Sequence, residues 1–157
     1  DWRDIPLAGE MDTLHLDLSL GGLADPVAVN MGNPHAVFFV DDVEAVDLAD
    51  VGPMIENHAL FPERVNVSIA QIISKGAIKM RVWERTAGLT RACGSAACAV
   101  IVAAARRDLT GREADIALPG GSLKMAWRED GHVLMTGPAA TSFAGRLDAA
   151  LLASAAA

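Results

Sequence analysis

Cysteine is scarce in this chain: 157 residues hold two, Cys93 and Cys98. Two are too few for a disulfide framework. On one helix, five residues apart is a rotation of about 140°, so the pair would face different ways. Neither has companion ligands at zinc spacing. Free thiols fit a reducing cytosol, and a cytoplasmic location is expected. A long basic block is also lacking. With a net charge of -7, nucleic acid is excluded as a partner class. No apolar run reaches membrane-spanning length, so no membrane partner is expected. The longest, Ala96 to Ala105, is closed by Gly94 on one side and Arg106-Arg107 on the other. No signal peptide, long linker or internal repeat is expected either. The chain opens on Asp1-Trp2-Arg3 rather than Met, which reads as a fragment. A single domain over residues 1–157 is the economical reading.

What is present is a high apolar share, 52%. That allows a real core without staples. Thr13 to Leu18 alternates apolar and polar residues and reads as a half-buried strand. Pro26 to Met31 and Ala36 to Val40 read as strands around a Gly32-Asn33-Pro34-His35 turn. Glu44 to Ala59 reads as a helix with Pro53 at the first turn of its main segment. Its acids Asp41, Asp42, Glu44, Asp47 and Asp50 read as a solvated approach to that helix, not a metal site. Arg64 to Ser74 and Ala77 to Arg85 pair around Lys75-Gly76. Further strands are expected at Ala114–Leu118, Ser122–Arg128, His132–Thr136 and Ser142–Leu147, with a short helix from Ala149 to Ala157. His15, His58 and His132 sit in no motif and read as surface or strand positions.

Ala96 to Arg107 has no glycine or proline and many good helix formers. Its core is apolar nearly all round, so it should be enclosed. The architecture expected is therefore α+β: a curled, mostly antiparallel, barrel-like sheet around a central helix. Cys93 falls at the N-terminus of that helix. Unpaired N–H groups there favour anions and lower a thiol's pKa. Cys93 is then a candidate reactive thiol, with a buried structural thiol as the alternative. Cys98 reads as core packing.

Four pieces in order carry a resemblance: Met31-Gly32-Asn33-Pro34-His35, Arg64-Val65-Asn66-Val67, Glu84-Arg85 and Ala92-Cys93-Gly94-Ser95-Ala96-Ala97-Cys98-Ala99. Together with Thr136-Gly137-Pro138-Ala139 they resemble the C-terminal half of diaminopimelate epimerase. Glu-Arg followed eight residues later by the Cys-Gly turn is the most specific element. That family has two similar halves, each a curled sheet around a helix, with the active site between them. The resemblance implies inversion of one α-carbon of diaminopimelate, LL to meso, on the route to lysine and peptidoglycan precursors. It implies no cofactor and no metal: one sulfur removes a proton and another donates one from the opposite face. The family's first cysteine lies in an earlier Cys-Gly-Asn turn absent here. The resemblance thus makes Cys93 the second acid/base and the N-terminal half a missing partner. The chain alone should be inactive.

By the same resemblance His35 and Glu84 support the catalytic thiols. Asn33, Asn66, Glu84, Arg85, Gly94 and Ser95 bind substrate, with Arg85 as a bidentate clamp on the distal carboxylate. Taken alone, Asn33, Asn66 and His35 are turn or strand-end residues, Glu84-Arg85 is a solvated pair, and Ser95 suits a helix cap. The family has Thr-Gly more often than Ser95-Ala96. It also carries a C-terminal tyrosine at its homodimer contact. Phe143 stands there in a chain with no tyrosine, so packing surface remains without the hydroxyl. Two alternatives stay open: a proline racemase-like half, and a binding or scaffold module of the same fold.

Overall fold

The computed structural model describes residues 1–150. The expected helix at Ala149–Ala157 therefore lies mostly outside the described residues. The strands are β1 (Ser19–Leu20), β2 (Leu23–Ala24), β3 (Val27–Asn30), β4 (Pro34–Phe39), β5 (Asn66–Ser74), β6 (Ala77–Glu84), β7 (Gly88–Thr90), β8 (Glu113–Leu118), β9 (Gly121–Trp127) and β10 (Val133–Thr136). The helices are α1 (Leu48–Glu56) and α2 (Gly94–Arg106).

Eight strands form one sheet in the order β10-β9-β8-β6-β5-β4-β3, with β7 beside β6. The β4–β5 and β6–β8 pairs are parallel; the other pairs of this sheet are antiparallel. β8 takes the first half of one β6 edge and β7 the second half, so the two lie end to end. α2 packs on strands from both ends of the sheet, β3 and β4 at one and β9 and β10 at the other. A sheet whose two ends touch one helix is curled around it, so the enclosed-helix architecture holds.

Alternation along each strand divides the apolar residues between two faces. Val37, Ala70, Ile78, Met80, Val82, Ile116 and Met125 turn inward onto α2. Ala36, Phe38, Val67 and Ile69 turn outward, under α1 and the N-terminal segment. α2 itself buries six successive residues, Ala99 to Ala104. Its alanines keep the helix narrow enough for strands to close on every side.

Four sequence readings need correction. Thr13–Leu18 has the burial of a strand, with Leu16 and Leu18 buried, but forms no ladder. The Leu14 carbonyl is taken by the Arg107 guanidinium at 2.6 and 2.9 Å, and Pro26 opposite has no N–H to give. Pro34 and His35 belong to β4 rather than to the preceding turn. The first helix begins at Leu48, capped by Asp47, so Pro53 lies inside it and not in its first turn. Ser142–Leu147 forms no strand and is exposed throughout, and among the described residues no strand pairs with its backbone.

Candidate functional site

α2 starts immediately after β7 and a short turn, and Cys93 is its N-cap residue in extended conformation. No side chain caps the helix. The first N–H groups of a helix have no intrahelical partner, so this end keeps a partial positive charge. Ser95 is not the cap. Its hydroxyl lies 3.4 Å from the Cys93 sulfur and receives the Asn33 amide at 3.3 Å. The Asn33 oxygen in turn accepts from His35 Nε2 at 2.8 Å. Residues 62 positions apart in sequence are thus joined through four side chains.

β5 and β6 bring the remaining candidates. The parallel register sets His35 opposite Asn66. The Asn66 side chain donates to the Pro34 carbonyl at 2.9 Å and accepts from the Arg85 backbone N–H at 2.9 Å. Asn66 therefore ties β4 to the end of β6, and its amide is spent on the backbone. Glu84 closes β6. Its carboxylate accepts from the Thr90 hydroxyl at 2.5 Å and lies close enough to Cys93 to oppose thiol ionisation. The Arg85 guanidinium donates to the Glu63 carbonyl at 3.0 Å. It also disfavours protonation of His35, though burial is the larger cause; together they bring His35 down to about 4. His35 is fully buried and its Nδ1 has no partner.

All eight candidate residues thus meet at one end of the curled sheet. The electrostatics of Cys93 differ from the expected ones. Its thiol is pushed up, not down: burial is the largest cause, with Glu84 adding to it. Ser95 and the Ala96 N–H pull the other way and do not prevail. Accessibility is also reversed, because Cys93 is 9% exposed whereas Cys98 is only half-buried. Met135 on β10 lies beside the neighbouring Gly94. A Cβ placed on Gly94 would sit 3.2 Å from its methyl carbon.

Three supporting residues escape a reading by motif. Thr90 holds the Glu84 carboxylate. Glu56, 5% exposed, accepts from Trp83 Nε1 at 2.7 Å and from the Thr86 N–H at 2.9 Å. Thr86 has φ 66°, an uncommon conformation for a β-branched residue, in the turn that follows Glu84-Arg85. Glu56 thus braces that turn from α1. The signal for it was present: Leu48, Val51, Ile55 and Glu56 share one buried helix stripe, and a carboxylate on such a stripe needs partners. The histidines outside the site behave as surface residues: His15 meets Asp25 at 3.1 Å and His132 meets Asp130 at 3.3 Å. Of the acids before α1, Asp42 and Asp47 accept backbone N–H groups at 2.9 and 3.2 Å, and Glu44 pairs with Lys79 at 3.0 Å. Among the described residues no helix is long and apolar enough to cross a membrane.

Known proteins resemble this chain closely. A family model described as diaminopimelate epimerase matches residues 27–142. Diaminopimelate epimerase of Rhodospirillum centenum is 60% identical over 152 residues, covering 97% of this chain and 52% of that protein. The Erythrobacter litoralis protein of the same name is 57% identical over 148 residues, 94% of this chain and 55% of that one. The chain therefore spans about half the length of the curated relatives it matches. Among solved structures, a Bacillus anthracis phenazine biosynthesis protein of the PhzF family aligns with a TM-score of 0.45. It is 14% identical over 77% of this chain and 37% of that one, too distant to bear on function.

Proposed function

This chain belongs to the diaminopimelate epimerase family, and from that premise we propose that it forms one wall of a two-thiol epimerase site for diaminopimelate. The observation that carries the proposal is Cys93 at the uncapped start of α2, joined through Ser95 and Asn33 to buried His35, with Glu84 alongside. This wall supplies one sulfur. The opposing sulfur comes from the part of the relatives' length that this chain does not span, and the chain alone is inactive.

Inverting an α-carbon needs two groups on opposite faces of a planar carbanion. The opposing thiolate takes the α-proton. Cys93, held as a neutral thiol by burial, gives its proton to the other face. Afterwards Cys93 is the thiolate and its opponent the thiol, so the reverse reaction exchanges their roles. The N–H groups of Gly94 and Ser95 receive the carboxylate on the reacting carbon and stabilise the charge that spreads onto it. Arg85, half-buried at the rim, takes the distal carboxylate, and Asn33 and Asn66 border the same space. The thiols carry the chemistry, without metal or organic cofactor. A proline racemase-like reading is not favoured, since a small monocarboxylate has no use for Arg85 and the matched relatives bear the epimerase name. We also propose a cytoplasmic homodimer for the longer protein, with exposed Phe143 at its contact.

The test is α-proton exchange of LL-diaminopimelate in heavy water. The chain alone should exchange nothing. A longer version carrying the N-terminal half of its relatives should exchange, and Cys93→Ala in it should not. Turnover by the chain alone, or exchange that survives Cys93→Ala, would refute the two-sided assignment.

A further inference from the structure

We propose that Asn33 is a positioning residue that turns the Ser95 hydroxyl toward Cys93, so that Ser95 donates a hydrogen bond to the sulfur when it ionises. The inference rests on the reading above only in taking Cys93 as the reacting group.

The direction of the chain of bonds follows from what each atom can do. His35 is fully buried and neutral near pH 7, since burial brings it to about 4. A neutral imidazole carries one N–H. Nε2 faces the Asn33 oxygen at 2.8 Å, and that oxygen can only accept. The proton therefore sits on Nε2, and Nδ1 is left as a bare lone pair, matching its lack of a partner. An orphaned acceptor is easier to tolerate than an orphaned N–H. With its oxygen fixed on His35, the Asn33 amide must present its nitrogen to Ser95. An amide nitrogen only donates, so the Ser95 oxygen receives there. Its own single proton has to go elsewhere. The Cys93 sulfur at 3.4 Å is the acceptor within reach, and the hydroxyl is not used as a helix cap.

Other groups around the sulfur do not replace this bond. Glu84, from β6, opposes the thiolate, while the Ala96 N–H, from α2, supports it. The Cys93 thiol also bears on Cys98, one turn and more along α2. His35, from β4, is uncharged, and Arg85, from the end of β6, acts on His35. Arg91 points to the Pro119 carbonyl at 3.3 Å. Ser95 is thus the side-chain donor to the thiolate, and Asn33 sets its direction.

The experiment is a pH titration of the chain itself, followed by ultraviolet thiolate absorbance, in a Cys98→Ala background so that Cys93 is the sole thiol. Ser95→Ala should raise the Cys93 midpoint by about one to two pH units, the worth of one charge-assisted hydrogen bond. Asn33→Ala should raise it by a smaller amount, because the hydroxyl is then free to turn away. The double variant should titrate like Ser95→Ala alone, and Ser95→Thr should restore the parent midpoint. An unmoved midpoint in Asn33→Ala overturns the proposal, as do two effects that simply add. Should Ser95→Ala fail to fold, Asn33→Ala and Ser95→Thr decide the matter alone. No activity enters this readout. A negative result leaves the exchange test of the epimerase reading standing, and failed exchange with a normal titration counts against that reading only.

Discussion

Gly52→Ala in α1 sets two opposed effects against each other, and the structure says which wins. In a helix interior alanine is normally favoured over glycine by roughly 0.5–1 kcal/mol. Gly52 is buried, and its φ lies outside the left-handed region, so the backbone raises no objection. The space does. A Cβ there would lie 2.6 Å from Cγ, 2.7 Å from Cδ2 and 2.9 Å from Cβ of Trp83. Those are the atoms nearest the β6 backbone, not the far end of a flexible side chain. The indole is also anchored by its 2.7 Å bond to Glu56, and its backbone pairs with Val67 and Leu89. Relief therefore needs α1 to lift from the sheet or the ring to leave a buried carboxylate. Overpacking of this kind costs about 1–3 kcal/mol, and losing the indole bond adds about 1–3 kcal/mol. Set against the propensity gain, the net expectation is destabilisation by about 1–5 kcal/mol. Urea unfolding followed by tryptophan fluorescence measures it. Gly111→Ala, with open space around it, is the control and should stay within about 0.5 kcal/mol. If Gly52→Ala instead stabilises by the helix-propensity amount, Trp83 does not set the spacing of α1.

Glu56→Gln puts an amide nitrogen against one of two N–H donors and should cost about 1–3 kcal/mol, with faster hydrogen exchange at the Thr86 amide; unchanged protection there would show that Glu56 does not brace the turn. His35 is depressed from 6.5 to about 4, so the unfolded chain binds its proton first as pH falls. Stability should then drop through that window by up to about 3 kcal/mol, and His35→Gln should flatten this part of the profile; equal slopes in parent and variant would refute it. Iodoacetamide at neutral pH should modify Cys98 at least as fast as Cys93, because Cys93 is the more buried. Peptide mapping that finds Cys93 labelled first would mean the turn opens readily in solution.

Elements with strong local signals were legible in the sequence. The enclosed α2, the β5–β6 hairpin and β8 to β10 follow from composition, alternation and Gly-rich turns. What failed depended on long-range partners. Thr13–Leu18 has the right alternation and makes scattered backbone bonds to residues 25–28, yet a guanidinium from residue 107 occupies the Leu14 carbonyl and no regular ladder forms. Pro34 and His35 read as turn residues because proline at a strand start looks like a break; the pairing with Asn66 in β5 makes them a strand. The site residues were legible as types in an ordered motif. Their bonds were not: that Asn66 spends its amide on Pro34 and Arg85 follows from register, which no local window contains.

The sign of the Cys93 perturbation shows why a motif alone misleads. Cys-Gly-Ser before a helix predicts a stabilised thiolate, and the local part of that argument is sound: the Ala96 N–H and the Ser95 hydroxyl both favour the anion. A helix terminus, though, is worth about 0.3–1 kcal/mol, up to ~2 in partly buried geometries. Burial can move a pKa by several units, each worth about 1.4 kcal/mol. The larger effect here is burial of the sulfur, and Glu84 at the end of β6 adds to it. Cys93 therefore rests as an acid. For a group proposed to hand a proton to a carbanion that is the useful resting state, and the Ser95 bond then matters most after transfer, when the sulfur is left charged. The same turn that would favour a thiolate in an open setting holds a neutral thiol here because the sulfur is buried.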